Sequence, residues 1–505
     1  MRPDVTGAEI AALLALAQDH AFAQPAGSQL RATVLGQRLA VAADIEPADR
    51  AAAWWTSALR FLGCTGHAFD MAVVFGDEIE MRADSMRLDF ANPFDMLRLM
   101  VGHAGPNTTG VARMRSVLAV LAGGKKAAEM NFRAACEVAD VLAKRLDLED
   151  AVRASLATSF ERWNGKGLPA GVKGEAIPVP MRIAQLSQEL EVLARIEGID
   201  RALTIVRSRR GKAYDPSLTD VALAHGTEWW DEVEPLDPWD AALACAPRPE
   251  RPLDDAALHE ALLVLADFSD LKSPWLSGHS RAVASLARDA GGPTAEAAAL
   301  VHDLGRVAVP NVVWDKPMSL TRDERDRAEL HALVTDQLLR RLPYTATLAD
   351  VACSAHERTD GSGYHRRSTG ANLDDDQRVV AAADVYDALT SDRPHRRAIA
   401  SVDAAAELRS MASSGELDAD AVERVLAAAG HTRAARPPQP GGLSAREVEV
   451  LRLVAKGLTT KVVATELSIT PKTADHHIQH IYTKIGVSTR GAAALYAIEH
   501  GIRPT

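Results

Sequence analysis

Between His302 and Asp384 the chain sets imidazoles and carboxylates far apart: His302-Asp303, His331, His356 and Asp384, each in text that reads as helix. Side chains so dispersed can meet only if several helices aim them at one point. The pattern therefore demands a compact helical fold around a shared centre. Several imidazoles plus carboxylates are the donor set of a first-row metal site. An adjacent His-Asp pair lets the carboxylate bridge two ions while the imidazole ligates one. A lone helical histidine is more often packed or exposed than ligating, but matched positions in order outweigh that reading.

The stretch resembles the HD superfamily of phosphohydrolases, and within it the HD-GYP branch. The strings that carry the resemblance are GHSRAVASLA from Gly278, VHDLGRVAVP from Val301, AHERTDGSGY from Ala355 and AAADVYDALTSDRPHR from Ala381. The resemblance implies an all-helical fold and a di-metal site hydrolysing phosphate esters, with cyclic di-GMP the substrate most often associated with the branch. By position it assigns His279, His302, Asp303, His331, His356 and Asp384 as metal ligands, with Asp303 and Arg306 in the catalytic role. The ions would activate water for in-line attack and neutralise phosphate charge. Such donors suit iron, manganese, nickel or zinc.

The chain also departs from the branch. Ala355-His356 stands where two histidines are usual, Arg306 where lysine is usual, and His365 where the GYP signature has proline. Arginine keeps the charge and can fork onto phosphate oxygens. Trp275 lies near the place of an acidic residue that holds a third metal in some members, and it cannot ligate. One or two divalent transition-metal ions are expected, the second held more weakly. The site would then either hydrolyse a phosphorylated nucleotide or sense one.

The C-terminus carries a second pattern. In LSAREVEVLRLVAKGLTTKVVATELSITPKTADHHIQHIYTKIGVSTRGAAALYAIEHGI, Ser444 and Glu447 form a capping box, and Val448, Leu451 and Val454 give the apolar stripe of a helix ending at Gly457. Thr459 to Leu467 reads as a second helix. Thr470 caps a third with Pro471 at its first position, Gly486 ends it, and Ser488 opens a fourth running to His500. Short helix, tight turn, capped helix is helix-turn-helix punctuation. The segment resembles the LuxR-type DNA-binding domain along its length. By position, His476 and Gln479 fall where bases of double-stranded DNA are read, while Lys461, Lys472, Thr473 and Lys484 fall where phosphates are held. The fourth helix, with Ala492, Leu495, Tyr496 and Ile498, is the expected surface of a homodimer.

The remaining chain bounds these modules. At 505 residues there is room for about three domains. A net charge of −11 does not suit a protein that coats nucleic acid. From Leu443 onward, however, eight Lys/Arg face five Asp/Glu, and a local basic face is what DNA contact needs. Cys64, Cys136, Cys245 and Cys353 show no CxxC and read as buried thiols of a reducing compartment. The opening MRPDVTGAEIAALLALAQDH reads as a capped amphipathic helix rather than a signal peptide, and no long apolar run suggests a membrane span. A cytoplasmic protein is expected. Proline-rich APRPERP and TRAARPPQPGG read as semi-rigid spacers.

The first half holds a repeat. Phe160 aligned with His356 keeps register without a gap to Leu193 with Leu389, matching Glu161, Arg162, Gly165, Gly167, Gly174, Arg182 and Leu193 to identical residues. In this copy Phe160 replaces a histidine, Gln188 replaces Asp384, and Arg60-Phe61 stands where a His-Asp pair would. His67 and Asp70 read as surface or capping groups, and Trp229, Trp230 and Trp239 as core or interface. The expected architecture is all-α. A degenerate HD-like domain (1–245) precedes an HD/HD-GYP-type domain (253–432), a linker (433–442) and a four-helix LuxR-type domain (443–505). Together they make a DNA-binding regulator with a nucleotide-responsive, metal-binding input.

Overall fold

The computed structural model describes residues 4–89, 92–105, 110–248, 251–364, 366–430 and 440–502. His365 and most of the second spacer lie outside them. Among the described residues there are helices and isolated bridges but no strand, and no helix is long and apolar enough to cross a membrane. The chain divides into two units, Met1–Leu258 and His259–Thr505.

In the first unit the helix Gly7–Ala21 opens with a full capping box between Thr6 and Glu9. It was expected to be amphipathic, but every residue from Ile10 to Asp19 is buried. Its alanines let neighbours approach on all sides, so it is the unit's central helix. Ser28–Ala42, Pro47–Ala58 and Val179–Glu197 belong to the same unit, and Trp54 donates from its indole to Ala242 O at 2.9 Å. Trp229, Trp230 and Trp239 are buried. APRPERP is no free spacer at its end: Leu253 N donates to Val5 O at 2.7 Å. His67 is buried rather than superficial, and loss of solvation pushes its imidazole down to about 3.

The second unit contains His279–Gly291, Pro293–Val301, Arg322–Leu339, Pro343–Ala352 and Asp375–Thr390, followed by Ala445–Ala455, Thr460–Glu466, Pro471–Ile485 and Arg490–Glu499. The caps read from sequence at Ser444 and Thr470 are present, and Thr459, expected as the first residue of the second helix, is its cap. The last helix starts at Arg490 under a Thr489 cap, two residues later than Ser488 suggested, because Thr489 Oγ1 accepts from Ala492 N.

The two units share local devices. A Cβ on Gly63 would lie 1.8 Å from Ala135 O and 2.7 Å from Ala139 N; one on Gly305 would lie 2.1 Å from His331 O and 2.6 Å from Thr335 N. Glu161 accepts from Ala170 N and Gly171 N, and Glu357 from Arg366 N and Ser368 N. Ser28 Oγ donates to Glu191 at 2.6 Å, and His279 Nδ1 lies 2.6 Å from Asp387.

Candidate metal centre and DNA-reading face

Five helical segments of the second unit deliver the six residues singled out as ligands. His279 starts His279–Gly291, seated by Asp270, which accepts from Ser280 N and Oγ at 2.8 Å each. His302 and Asp303 end Pro293–Val301, and glycine at 305 lets the following turn press onto the helix that carries His331. His356 lies in the turn after Pro343–Ala352, and Asp384 in Asp375–Thr390. All six are buried.

Three imidazoles are oriented from behind. The Nδ1 atoms of His302 and His331 face Ala299 O and Ala328 O at 2.7 and 2.5 Å, and that of His279 faces Asp387. Their Nε2 atoms therefore point inward, the second-layer arrangement that aims histidines at metals. His279 Nε2 lies 3.4 Å from Asp303 and 3.2 Å from Asp384, and His302 Nε2 lies 3.0 Å from Asp303. On the other side, His331 and His356 approach Asp303 Oδ1 at 3.1 and 3.2 Å, with their Nε2 atoms 2.9 Å apart. The donors thus fall into two groups, His279–His302–Asp303 and Asp303–His331–His356, and Asp303 belongs to both. His279 Nε2, His302 Nε2 and Asp303 Oδ2 are enclosed without a well-aligned hydrogen bond. Buried polar atoms at contact distance but misaligned for hydrogen bonding fit a cation between them.

The electrostatics agree. Burial disfavours charge on His279, yet Asp303, Asp384 and Asp387 push it up to about 9; against the same burial, Asp303 and Asp384 push His302 up to about 10. Burial, with His356 and Arg306 nearby, takes His331 down to about 4. Against burial, Arg306 and His302 hold Asp303 well below the carboxylate range. A cation seated here would displace protons, since ligating imidazoles are neutral.

Four neighbours escaped the sequence reading. Asp387 orients His279, Tyr364 stacks on His356 at 4.8 Å, Trp314 stands edge-on to His331, and Arg393 reaches within 3.4 Å of His279 Nδ1. Asp387 was findable, since it lies one helical turn beyond Asp384. Arg306 pairs with Asp303 at 2.8 Å and lies over the Trp314 ring at 5.0 Å, while its buried Nη1 has no hydrogen-bond partner.

In Pro471–Ile485, Lys472, Thr473, His476 and Gln479 are exposed, as is Lys461 on the preceding helix. Lys484 is engaged elsewhere: it donates to Glu447 at 2.8 Å, beside His480 at 2.7 Å from the same carboxylate. The expected dimer face is covered, since Ala492, Leu495 and Ile498 are 2, 0 and 3% exposed within the chain and only Tyr496 is partly open.

Residues 264–421 match the HD domain family, and residues 442–497 match the bacterial regulatory proteins of the luxR family. The chain carries an HD domain followed by a LuxR-type helix-turn-helix domain. It is 28% identical to the 3'3'-cGAMP-specific phosphodiesterase 3 of Vibrio cholerae over 403 residues, which is 77% of this chain and 88% of that protein. The crystal structure of a cyclic GMP-AMP-specific phosphodiesterase of V. cholerae matches with a TM-score of 0.57 and 25% identity, covering 85% of this chain and 98% of that one. The cyclic di-GMP phosphodiesterase response regulator of Xanthomonas campestris is 40% identical over 105 residues, 20% of this chain and 28% of that protein.

In the first unit, the glycine equivalence puts Ala135 where the HD domain has His331, and Arg60-Phe61 where it has His302-Asp303. The pairing of Ser28 with Glu191 takes the form of His279 with Asp387. Phe160 stacks on Phe132 at 4.3 Å, and an Arg60 guanidinium nitrogen donates to Ser159 O.

Proposed function

We propose that the chain is a cytoplasmic DNA-binding transcription regulator. Its HD domain binds one or two divalent transition-metal ions and hydrolyses a 3',3'-cyclic dinucleotide, and its first unit is a non-catalytic HD-like scaffold. The observation that carries this reading is Asp303, shared between two three-donor groups beside a guanidinium with an open Nη1. The relatives named for cyclic GMP-AMP and cyclic di-GMP supply the substrate class. Water adds to phosphorus, a P–O bond to a ribose oxygen breaks, that oxygen takes the proton, and a linear dinucleotide leaves. Bound ions in such a site acidify water and neutralise phosphate charge. Arg306, fixed by Trp314, offers Nη1 to a phosphate oxygen, and Tyr364 walls the His356 side against solvent.

Turnover of 3'3'-cGAMP and cyclic di-GMP by purified protein with manganese or iron, alongside elemental analysis, tests this reading. A linear product in the wild type and none in Asp303→Asn is expected; bound metal with no product from either nucleotide overturns the hydrolytic assignment. Ala355, fully buried where a further histidine is usual, favours a second reading, in which the site holds the nucleotide without cleaving it.

For the LuxR-type domain we propose binding as a dimer to half-sites spaced by about 10 base pairs. Gln479→Ala should relax preference at one base pair by ~1–3 kcal/mol. Lys472→Ala should weaken all duplexes alike and lower the salt slope by about one contact. Equal loss on specific and random DNA for Gln479→Ala would contradict this docking.

A further inference from the structure

We infer that the HD domain carries a seat for the LuxR-type domain of its own chain, built by residues 392–397, and that this seat couples the metal centre to DNA binding. The inference rests on the metal-binding reading above. Lys456, at the end of helix Ala445–Ala455, donates to the Asp392 carboxylate; the two residues are 3 and 6% exposed. At the rim, Arg397 lies 3.6 Å from Glu466 on Thr460–Glu466. A rim pair holds little, but a buried pair left without one partner is costly, so the inner contact fixes the register of the two domains.

The same segment reaches the metal centre. Arg393 and Arg396 exchange backbone hydrogen bonds at 2.8 and 3.2 Å, and Asp392 Oδ1 accepts from Ala398 N at 2.7 Å, so the segment is one tight turn. From this turn Arg393 extends to Trp275 O and to His279 Nδ1, each at 3.4 Å. Asp387 already faces that Nδ1 at 2.6 Å, so Arg393 stands beside the ring without a strong partner there. A phosphate at the centre attracts that guanidinium. Loading thus draws on Arg393, and Asp392 and Arg397 belong to the same turn. Loading therefore loosens the seat, and by linkage the seat opposes loading.

In this form the base-reading side chains are open while Ala492, Leu495 and Ile498 on the last helix are buried. It exposes what reads DNA and withholds the face expected to pair two copies.

Hydrogen exchange on the full-length protein tests this. Lys456→Gln should raise exchange in residues 490–499 by roughly tenfold or more, as loss of one member of a buried pair implies. In the wild type, manganese with inorganic phosphate should raise exchange in the same peptide, and in Asp303→Ala it should not. Glu466→Arg should open the seat partially and Arg397→Glu in the same chain should restore it, a rescue that misfolding would not give. Unchanged exchange in Lys456→Gln overturns the seat. Metal bound by elemental analysis without any change in residues 490–499 overturns the coupling while leaving the metal reading intact; absence of metal defeats that reading instead.

Discussion

Gly63 and Gly305 face the same constraint, a helix backbone too close to admit a Cβ, yet the side chains around them do opposite things. Around Gly305 stand His302, Asp303 and His331, a converging donor set. Around Gly63 stand Arg60, Phe61 and Ala135, none of them a metal donor. Burial is common to both, and in both it is expensive for charge. In the HD domain carboxylates answer it, raising His279 to about 9; in the first unit burial and the Arg82 guanidinium both act against charge on His67, which falls to about 3. One backbone device thus stands beside two different sets of side chains.

The largest expected effect is on metal content. Asp303→Ala should remove essentially all bound metal and Arg60→Ala none, by elemental analysis; loss in both would break the contrast. The glycines sharpen it from the other side. Gly63→Ala and Gly305→Ala should each destabilise by about 3 kcal/mol or more in denaturant melts, the upper end of overpacking costs, because the atoms met are backbone. Only Gly305→Ala should also weaken metal binding. Phe160→Ala should destabilise by about 2 kcal/mol, below the usual ~3–5 for a fully buried phenylalanine since Phe160 is half-buried, and leave metal unchanged.

The smallest effect is in pH. The folded pKa of His67 lies below its unfolded value of ~6.5, so the unfolded chain binds more protons in acid. Its stability contribution is complete above pH ~6.5 and falls as pH drops toward 3. In chelated protein His279 behaves inversely: its contribution is complete below pH ~6.5 and is lost as pH rises through about 9. His67→Gln should flatten the acid side of thermal melts and His279→Gln the alkaline side. Identical profiles in both variants would show that the two environments do not differ.

The convergence of the donor set was legible through resemblance, since the four matching strings carry His279, His302, Asp303, His356 and Asp384, and a His-Asp pair suggests a shared carboxylate. The helix-turn-helix caps at Ser444 and Thr470 were legible because Ser444 with Glu447 and Thr470 with Pro471 act within a single turn. Trp314 under Arg306 was not, as nothing local marks which ring a guanidinium will cover. Asp392 and Lys456 belong to different modules, and no period links them. The apolar stripe of Arg490–Glu499 was visible, but a stripe says that a face is buried and never against what, so a covered face was read as a free one.

The shared carboxylate has a further consequence. Because Asp303 serves both donor groups, the two cannot be lost one after the other through that residue; a single substitution silences both. Ala355 marks the gentler route, thinning one group and sparing its neighbour. Trimming peripheral histidines could therefore weaken one donor group while the other stays intact. Loss of the carboxylate at position 303 would instead remove a donor from both groups at once.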